Sequence, residues 1–288
     1  MGNRWLVTGA DGLLGRDLVD VLHGLREPVV AATRHDLDIT DPESVRAAVS
    51  RHRPATIVNC AAWTRFDEAE NHEAEALLVN GRGAEVLASV CGERSIRLVH
   101  LSTDYVFDGT SGHPYAEDAA PRPINAYGRT KLAGERAVLD RLPDDGTVVR
   151  AAWLYGRHGT NFVGKMIRAE RLRETVDVVD DQWGQPTWTV DLAHQIVALV
   201  RHGASGVFHG TSSGAATWYE VARMTFRLLG ADPGRVRPVG SDHVAGGELR
   251  PRYTVLGHDA WSAAGLPPIR HWAAALEQSF PHLADGGS

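Results

Sequence analysis

The sequence predicts an α/β protein: a Rossmann-type doubly wound parallel sheet with a smaller C-terminal α/β substrate lobe. Three observations predict it. Short apolar runs alternate with helical patterns through the first half of the 288 residues. A glycine-rich stretch, VTGADGLLG, sits between the first apolar run and the first helical pattern. The second half is less regular, as a lobe added to a sheet domain would be. Strands alternating with helices imply right-handed crossovers and a parallel sheet covered on both faces, whose ligands bind at the carboxyl ends of the strands.

The elements follow in order. RWLVT (4–8) reads as a buried strand and GLLGRDLVDVLHGL as a helix; PVVAAT (28–33) is a second strand. DPESVRAAVSRHR (41–53) is a helix with Asp41 as N-cap and Pro42 in its first turn. TIVNC (56–60) is a third strand, a long helical pattern covers roughly 68–94, and RLVHLS (97–102) is a fourth strand. A helix containing YGRTK (127–131) precedes the strand pattern TVVRAAWLYG (147–156), with Trp153 near its end. VDLAHQIVALVRHG (190–203) and TWYEVARMTFRLLG (217–230) read as amphipathic helices ending on glycines, with the short strand GVFHG (206–210) between them. The expected division is a cofactor-binding domain over 1–156, to which the chain returns near 190–210, and a substrate-binding lobe formed mainly by 157–288.

Composition narrows the functional classes. A net charge of −6 argues against nucleic acid, whose phosphates select a basic footprint. No run of eighteen apolar residues exists, so no membrane span is expected, and no secretory signal is visible at the N-terminus. Cys60 and Cys91 lie in apolar segments and read as buried free thiols of a cytoplasmic protein. The fourteen histidines lack metal-ligand spacing and read mostly as surface residues.

Gly9, Gly12 and Gly15 permit a tight turn and close approach of a pyrophosphate to a helix N-terminus, where free N–H groups and the helix dipole favour an anion. The neighbouring Leu13 and Leu14 complete this loop. The second strand ends AATRHDLDITD, placing Arg34 where a 2′-phosphate contact would be made and Asp38 and Ile39 toward the adenine end. This leans to NADPH and leaves NADH open. Tyr127 and Lys131 are four residues apart and share a helix face. An ammonium beside a phenol favours phenolate, which makes the phenol a usable proton donor to a carbonyl oxygen. The competing reading is an ordinary surface pair of Lys131 with Glu135.

STDYVFDG (102–109), VNCAAWTRFDEAE (58–70), PINAYGRTKLAGE, VDDQWGQPTWTVDLA (179–193) and RPRYTVLG together resemble the dTDP-4-dehydrorhamnose reductase family of extended short-chain dehydrogenases/reductases, over nearly the whole chain. The resemblance implies NADPH-dependent reduction of the C4 ketone of a dTDP-4-keto-6-deoxyhexose, the default product being dTDP-L-rhamnose and a related antibiotic deoxysugar the alternative. It implies a catalytic group of Thr103, Tyr127 and Lys131. Ala61, Ala62 and Thr64 fall where the third strand passes the cofactor, and Asn80 at a helix position supporting it. The hexose would meet Phe66, Asp104, Tyr105 and Trp153, with Trp153 as a stacking platform or else a core residue. Gln182 would face the substrate, and Arg250, with Arg252, would reach its diphosphate. Lys165, Arg168, Arg171 and Arg173 in GKMIRAERLRE (164–174) are either further nucleotide partners or a solvated helix face.

The chain departs from the family pattern at Leu13, Trp63 and Phe66. Asp17 and Asp191 match two positions that some members use for an interfacial magnesium ion, with no third in view; the metal and the choice between monomer and homodimer stay open. Three rival readings share the superfamily resemblance. A 4,6-dehydratase would place glutamate after Asp104, where Tyr105 stands. A C4 epimerase would keep its nicotinamide bound. A regulatory subunit like that of methionine adenosyltransferase would bind NADP and act through a partner enzyme.

Overall fold

The computed structural model describes residues 4–243 and 250–284. Each apolar run of the first half is followed by a helix long enough to carry the chain back to the same end of the sheet, so the strands come out parallel. In order these are β1 (Trp5–Thr8), α1 (Leu13–Gly24), β2 (Val29–Ala32), α2 (Pro42–His52), β3 (Thr56–Asn59), α3 (Gly83–Arg94), β4 (Arg97–Thr103), α4 (Ala126–Arg141) and β5 (Gly146–Ala151). The second half supplies α5 (Phe162–Leu172), β6 (Val176–Val179), α6 (Thr189–His202), β7 (Gly206–His209), α7 (Trp218–Leu228), β8 (Val236–Val239) and α8 (Trp272–Ala284). Six strands form one parallel sheet in the order β7-β5-β4-β3-β1-β2. The connection from β2 to β3 crosses back over β1. This opens a crevice at the carboxyl ends of β1 and β3, the usual ligand position in such sheets.

Local chemistry explains the element ends. Asp41 caps α2 by accepting from the Glu43 N–H, with Pro42 in the first turn. Gly203 closes α6 in the left-handed conformation at φ 81°. Thr217 and Glu220 form a reciprocal capping box that starts α7 at Trp218. Two apolar layers cover the sheet. Leu14, Leu18 and Leu22 of α1 pack with Leu192, Ile196 and Leu199 of α6 on one face. Val45 and Val49 of α2, Leu87 and Val90 of α3 and Val138 of α4 pack on the other. Helix α6 and strand β7 thus lie with the large sheet, while α5, α7, α8 and the parallel pair β6–β8 gather around separate apolar clusters.

Three expectations change. The helical pattern over 68–94 is not continuous: it breaks into Phe66–Ala69, Glu73–Leu77, a wide turn over Leu78–Arg82 and α3. The wide turn brings the Asn80 side chain onto the backbone of Trp63, a local need that helical periodicity does not register. The strand pattern 147–156 stops at Ala151, because Trp153 takes a left-handed φ of 48°. Leu154–Tyr155 then pairs with Thr187–Trp188 outside the main sheet. Of the histidines, His100 and His209 are buried rather than superficial.

The sheet is also tied by a buried ion pair. Arg150 on β5 binds Glu135 on α4 through two hydrogen bonds of 2.9 and 2.8 Å, both side chains 3% exposed or less. The Ser102 hydroxyl donates to the same carboxylate at 2.5 Å. Removing one member of such a pair leaves a bare buried charge. Arg150→Met is therefore expected to lower the unfolding free energy by about 3–5 kcal/mol in urea titration.

Candidate active site

The crevice is a cleft of about 890 Å³. It is lined from the glycine loop by Gly9, Gly12, Leu13, Leu14 and Gly15, and from the end of β2 by Arg34, Asp38 and Ile39. The loop after β3 contributes Ala61, Ala62, Thr64 and Phe66, and the end of β4 with α4 contributes Thr103, Asp104, Tyr105, Tyr127 and Lys131. Trp153 completes this set. Residues spread over most of the first 153 positions therefore meet in one space.

The glycine loop is built for close approach. Gly9 has φ 61°, and a Cβ there would lie 2.7 Å from the Ala61 nitrogen. A Cβ on Gly15 would lie 2.2 Å from the Gly9 carbonyl oxygen. Helix α1 begins at this loop with no side chain capping its first turn, in contrast to α2, α4, α5 and α7. Its free N–H groups face the crevice end of β1, which suits a dinucleotide pyrophosphate.

At the end of β2, Arg34 lines the cleft. Asp36 is turned onto its own loop, accepting from the Thr33 N–H and hydroxyl at 3.0 and 2.7 Å. Asp38 reaches the cleft but accepts from the Thr40 N–H and hydroxyl, which hold its carboxyl below the usual range.

The Tyr127 helix is placed by contacts that its spacing alone does not reveal. Asn125 caps it by accepting from the Gly128 N–H at 2.8 Å, and Glu70 accepts from the Ala126 N–H at 2.5 Å. Arg129 binds Glu73 through two hydrogen bonds of 2.8 Å. A Cβ on Gly128 would lie 2.0 Å from the Tyr105 carbonyl oxygen. The glycine after the tyrosine is what lets α4 press against the turn that follows β4.

Thr103 Oγ1 donates to Asp104 Oδ1 at 3.0 Å, accepts from the Tyr105 N–H at 3.2 Å, and meets the Tyr127 phenol. Burial and the Asp104 charge push that phenol up to about 12. Lys131 is 2% exposed and donates to the Leu101 carbonyl at 2.5 Å. Burial lowers its ammonium to about 8, against the opposing pull of Glu135. The expectation that Lys131 depresses the phenol is corrected here: desolvation of the phenol dominates, and the Lys131 ammonium is directed to the strand backbone. The surface pair with Glu135 is also corrected, because Glu135 is engaged by Arg150 and Ser102. Asp104 is raised to about 6 by burial, and its Oδ2 has no hydrogen-bond partner among the described residues.

Three further expected contacts fall elsewhere. Asn80 does not line the cleft; its side chain binds the Trp63 backbone at 2.9 and 3.2 Å and Thr130 at 3.1 Å, so it fastens the loop that carries Ala61–Thr64. Gln182 is buried away from the cleft and donates to Ser241 at 2.9 Å. Arg250 stands behind Phe66, its guanidinium 4.5 Å from the ring centre and 3.1 Å from Asp67. Trp153 lines the cleft, but one face is covered by Trp218 at 3.4 Å between ring centres, and a Cβ on Gly184 would lie 2.4 Å from its ring. A free stacking platform for a sugar is thereby excluded. Trp218 also lines the cleft, as do Thr160 and Leu78. The reading of 217–230 as an amphipathic helix passed over Trp218; a capping box just before an aromatic residue was the available signal.

The two aspartates matched to a magnesium position do not fit one ion. Both oxygens of Asp191 are bound by Arg270, at 2.7 and 2.5 Å. Asp17 is buried, accepts from Thr189 and faces His158 at 3.6 Å. A hard cation needs carboxylate oxygens that are free to coordinate, and those of Asp191 are taken by the guanidinium.

Comparison with known proteins agrees with this geometry. The family described as RmlD substrate binding domain matches residues 3–284. The chain belongs to the dTDP-4-dehydrorhamnose reductase family. It is 80% identical to the dTDP-4-keto-6-deoxy-D-glucose reductase of Streptomyces niveus, over 98% of each chain. It is 55% identical to the dTDP-4-dehydrorhamnose reductase of Streptomyces griseus, over 97% of this chain and 94% of the relative. The crystal structure of dTDP-4-dehydrorhamnose reductase from Bacillus anthracis in complex with NADP superposes with a TM-score of 0.93 at 35% identity, covering 98% of this chain and 99% of that one.

Lys131 ties the site to stability. Its ammonium is disfavoured in the folded protein, so folding carries a penalty at neutral pH that fades as pH rises through about 8 toward the unfolded-state value. Lys131→Met is expected to raise the melting temperature at pH 7, by up to roughly 3 kcal/mol of stability, with the gain shrinking at pH 9 to 10. A calorimetric pH series reads this directly.

Proposed function

We propose that this chain reduces the C4 ketone of a dTDP-4-keto-6-deoxyhexose with NADPH. The observation that carries the reading is that one cleft holds both an uncapped helix terminus suited to a pyrophosphate and a Thr103–Tyr127–Lys131 group. The names of the Streptomyces niveus and Streptomyces griseus relatives support the substrate class, and the Bacillus anthracis complex supports the cofactor. Arg34 at the cleft, with Asp36 turned away, favours NADPH over NADH because a guanidinium suits a 2′-phosphate.

When bound, the nicotinamide supplies the hydride to the ketone carbon. The glycine loop and the α1 terminus hold its pyrophosphate. Thr103 and Tyr127 offer hydroxyls to the ketone oxygen, and the Tyr127 phenol gives its proton to that oxygen as negative charge develops there. A phenol raised to about 12 is fully protonated at neutral pH, the form a donor needs. The buried Lys131 ammonium steadies the phenolate left behind. Since this needs the charged amine, turnover falls as pH rises through about 8.

Elimination chemistry is not supported. The dehydratase reading needs a glutamate beside Asp104, and among the described residues no glutamate lines the cleft. Between the two sugar configurations, the 80% identical relative favours the 4-keto-6-deoxy-D-glucose nucleotide over its L-lyxo epimer.

NADPH oxidation with each sugar nucleotide tests the reading; failure with both, while NADPH still binds, would sink it. Tyr127→Phe is expected to lower kcat by about 100-fold or more with NADPH affinity nearly unchanged. Arg34→Ala is expected to raise KM for NADPH by about tenfold or more, with little effect on KM for NADH.

A further inference from the structure

Helix α5 borders a second cavity, of about 490 Å³, on the side of the loop 156–160 opposite the phosphate loop. Arg157, Lys165, Arg168 and Arg171 line it, and no carboxylate does. In a chain of net charge −6 this is a local reversal of sign. Lys165, Arg168 and Arg171 recur at helical spacing, so they share one face of α5. Glu170 on the same helix does not neutralise them, because its carboxylate is bound by Arg235 at 2.7 Å. Among the described residues Lys165, Arg168 and Arg171 form no ion pair. Ile167, Leu172 and Leu283 give the cavity an apolar wall. Thr160 lines both this cavity and the catalytic cleft, so the two spaces adjoin.

A cavity of this size suits a small molecule, and unpaired guanidinium groups suit phosphate oxygens. Three cations projecting together with no acid among them are an unfavourable arrangement until an anion enters. We propose that this cavity is a binding site for a phosphate-bearing ligand of nucleotide size. Two sources share that chemistry. One is the nucleoside diphosphate half of the sugar nucleotide itself, reaching past Thr160, which rests on the reductase reading. The other is a free nucleotide held beside the catalytic cleft.

The test titrates dTDP and inorganic pyrophosphate into NADPH-saturated protein by calorimetry. It compares wild type with Arg168→Ser/Arg171→Ser, both of whose positions are exposed, and checks the fold by melting temperature. The double variant is expected to bind both probes about tenfold or more weakly, and the wild-type affinity to fall steeply with salt. If KM for the 4-keto sugar nucleotide rises by the same factor with kcat held, the ligand is the diphosphate of the substrate. If KM is unchanged and dTDP still binds at saturating sugar nucleotide, the cavity is a separate nucleotide site. Equal affinity of wild type and variant for both probes overturns the proposal. Loss of probe binding in the variant, with no sugar nucleotide turned over by wild type, would keep the cavity and discard the reductase reading.

Discussion

The active cleft depends on the Glu135–Arg150 ion pair behind it. Glu135 lies four and eight residues after Lys131 and Tyr127, on the same face of α4. Its carboxylate is held by Arg150 from β5 and Ser102 from β4. Arg150 continues to the Glu117 carbonyl at 3.2 Å and to His209 Nε2 on β7 at 3.3 Å, and His209 Nδ1 contacts the Gly257 carbonyl at 2.9 Å. The guanidinium donates to His209 Nε2, which leaves the proton on Nδ1 facing the carbonyl; burial and the Arg150 charge keep the ring neutral by pushing it down to about 3. The network joins α4 to three strands and to the chain near 257. A buried polar network of this kind specifies one arrangement because its members have no alternative partners. It also settles what Lys131 does: with Glu135 already engaged, the ammonium turns to the Leu101 carbonyl at the rim of the cleft.

Burial sets the chemistry of the cleft more than charge pairing does. Asp104, Tyr127 and Lys131 are each pushed toward their neutral forms. For Tyr127 this keeps the proton on the group that must give it. For Lys131 and Asp104 the charged form is retained at neutral pH only against desolvation, so the site opposes stability where it serves turnover. The backbone carries a similar load at Trp153, whose left-handed φ of 48° is uncommon for a side chain of that size. That conformation delivers the indole into a stack with Trp218, itself packed 4.5 Å from Phe162, and so joins the large sheet to the smaller lobe across the cleft.

The acidic chain uses its cations in two distinct ways. Arg270 closes over Asp191 and Arg235 over Glu170, each a partly buried pair that fastens one element to another. The α5 cations do neither and stand together around an open cavity. The difference is one of direction rather than composition, since both kinds come from segments rich in arginine and glutamate.

Much of this architecture was legible in the sequence. The strand–helix alternation, the glycines between β1 and α1 and the four-residue spacing of Tyr127 and Lys131 are local patterns, and local patterns survive folding when they agree with one another. They sufficed for the parallel sheet, for the cleft at its carboxyl edge and for most of the residues that line it. Position in space was not legible where the decisive contact is long-range. Asn80 reads as a cofactor neighbour until the wide turn over Leu78–Arg82 sends its amide to the Trp63 backbone. Trp153 reads as a sugar platform until Trp218, 65 positions later, covers its face. Lys131 reads as the group that lowers the phenol until burial proves the larger effect. Spacing along a chain determines which side chains share a face. Only the packed structure decides how dry that face is and which partner arrives first, because desolvation and competition for hydrogen bonds arise from residues far apart in sequence.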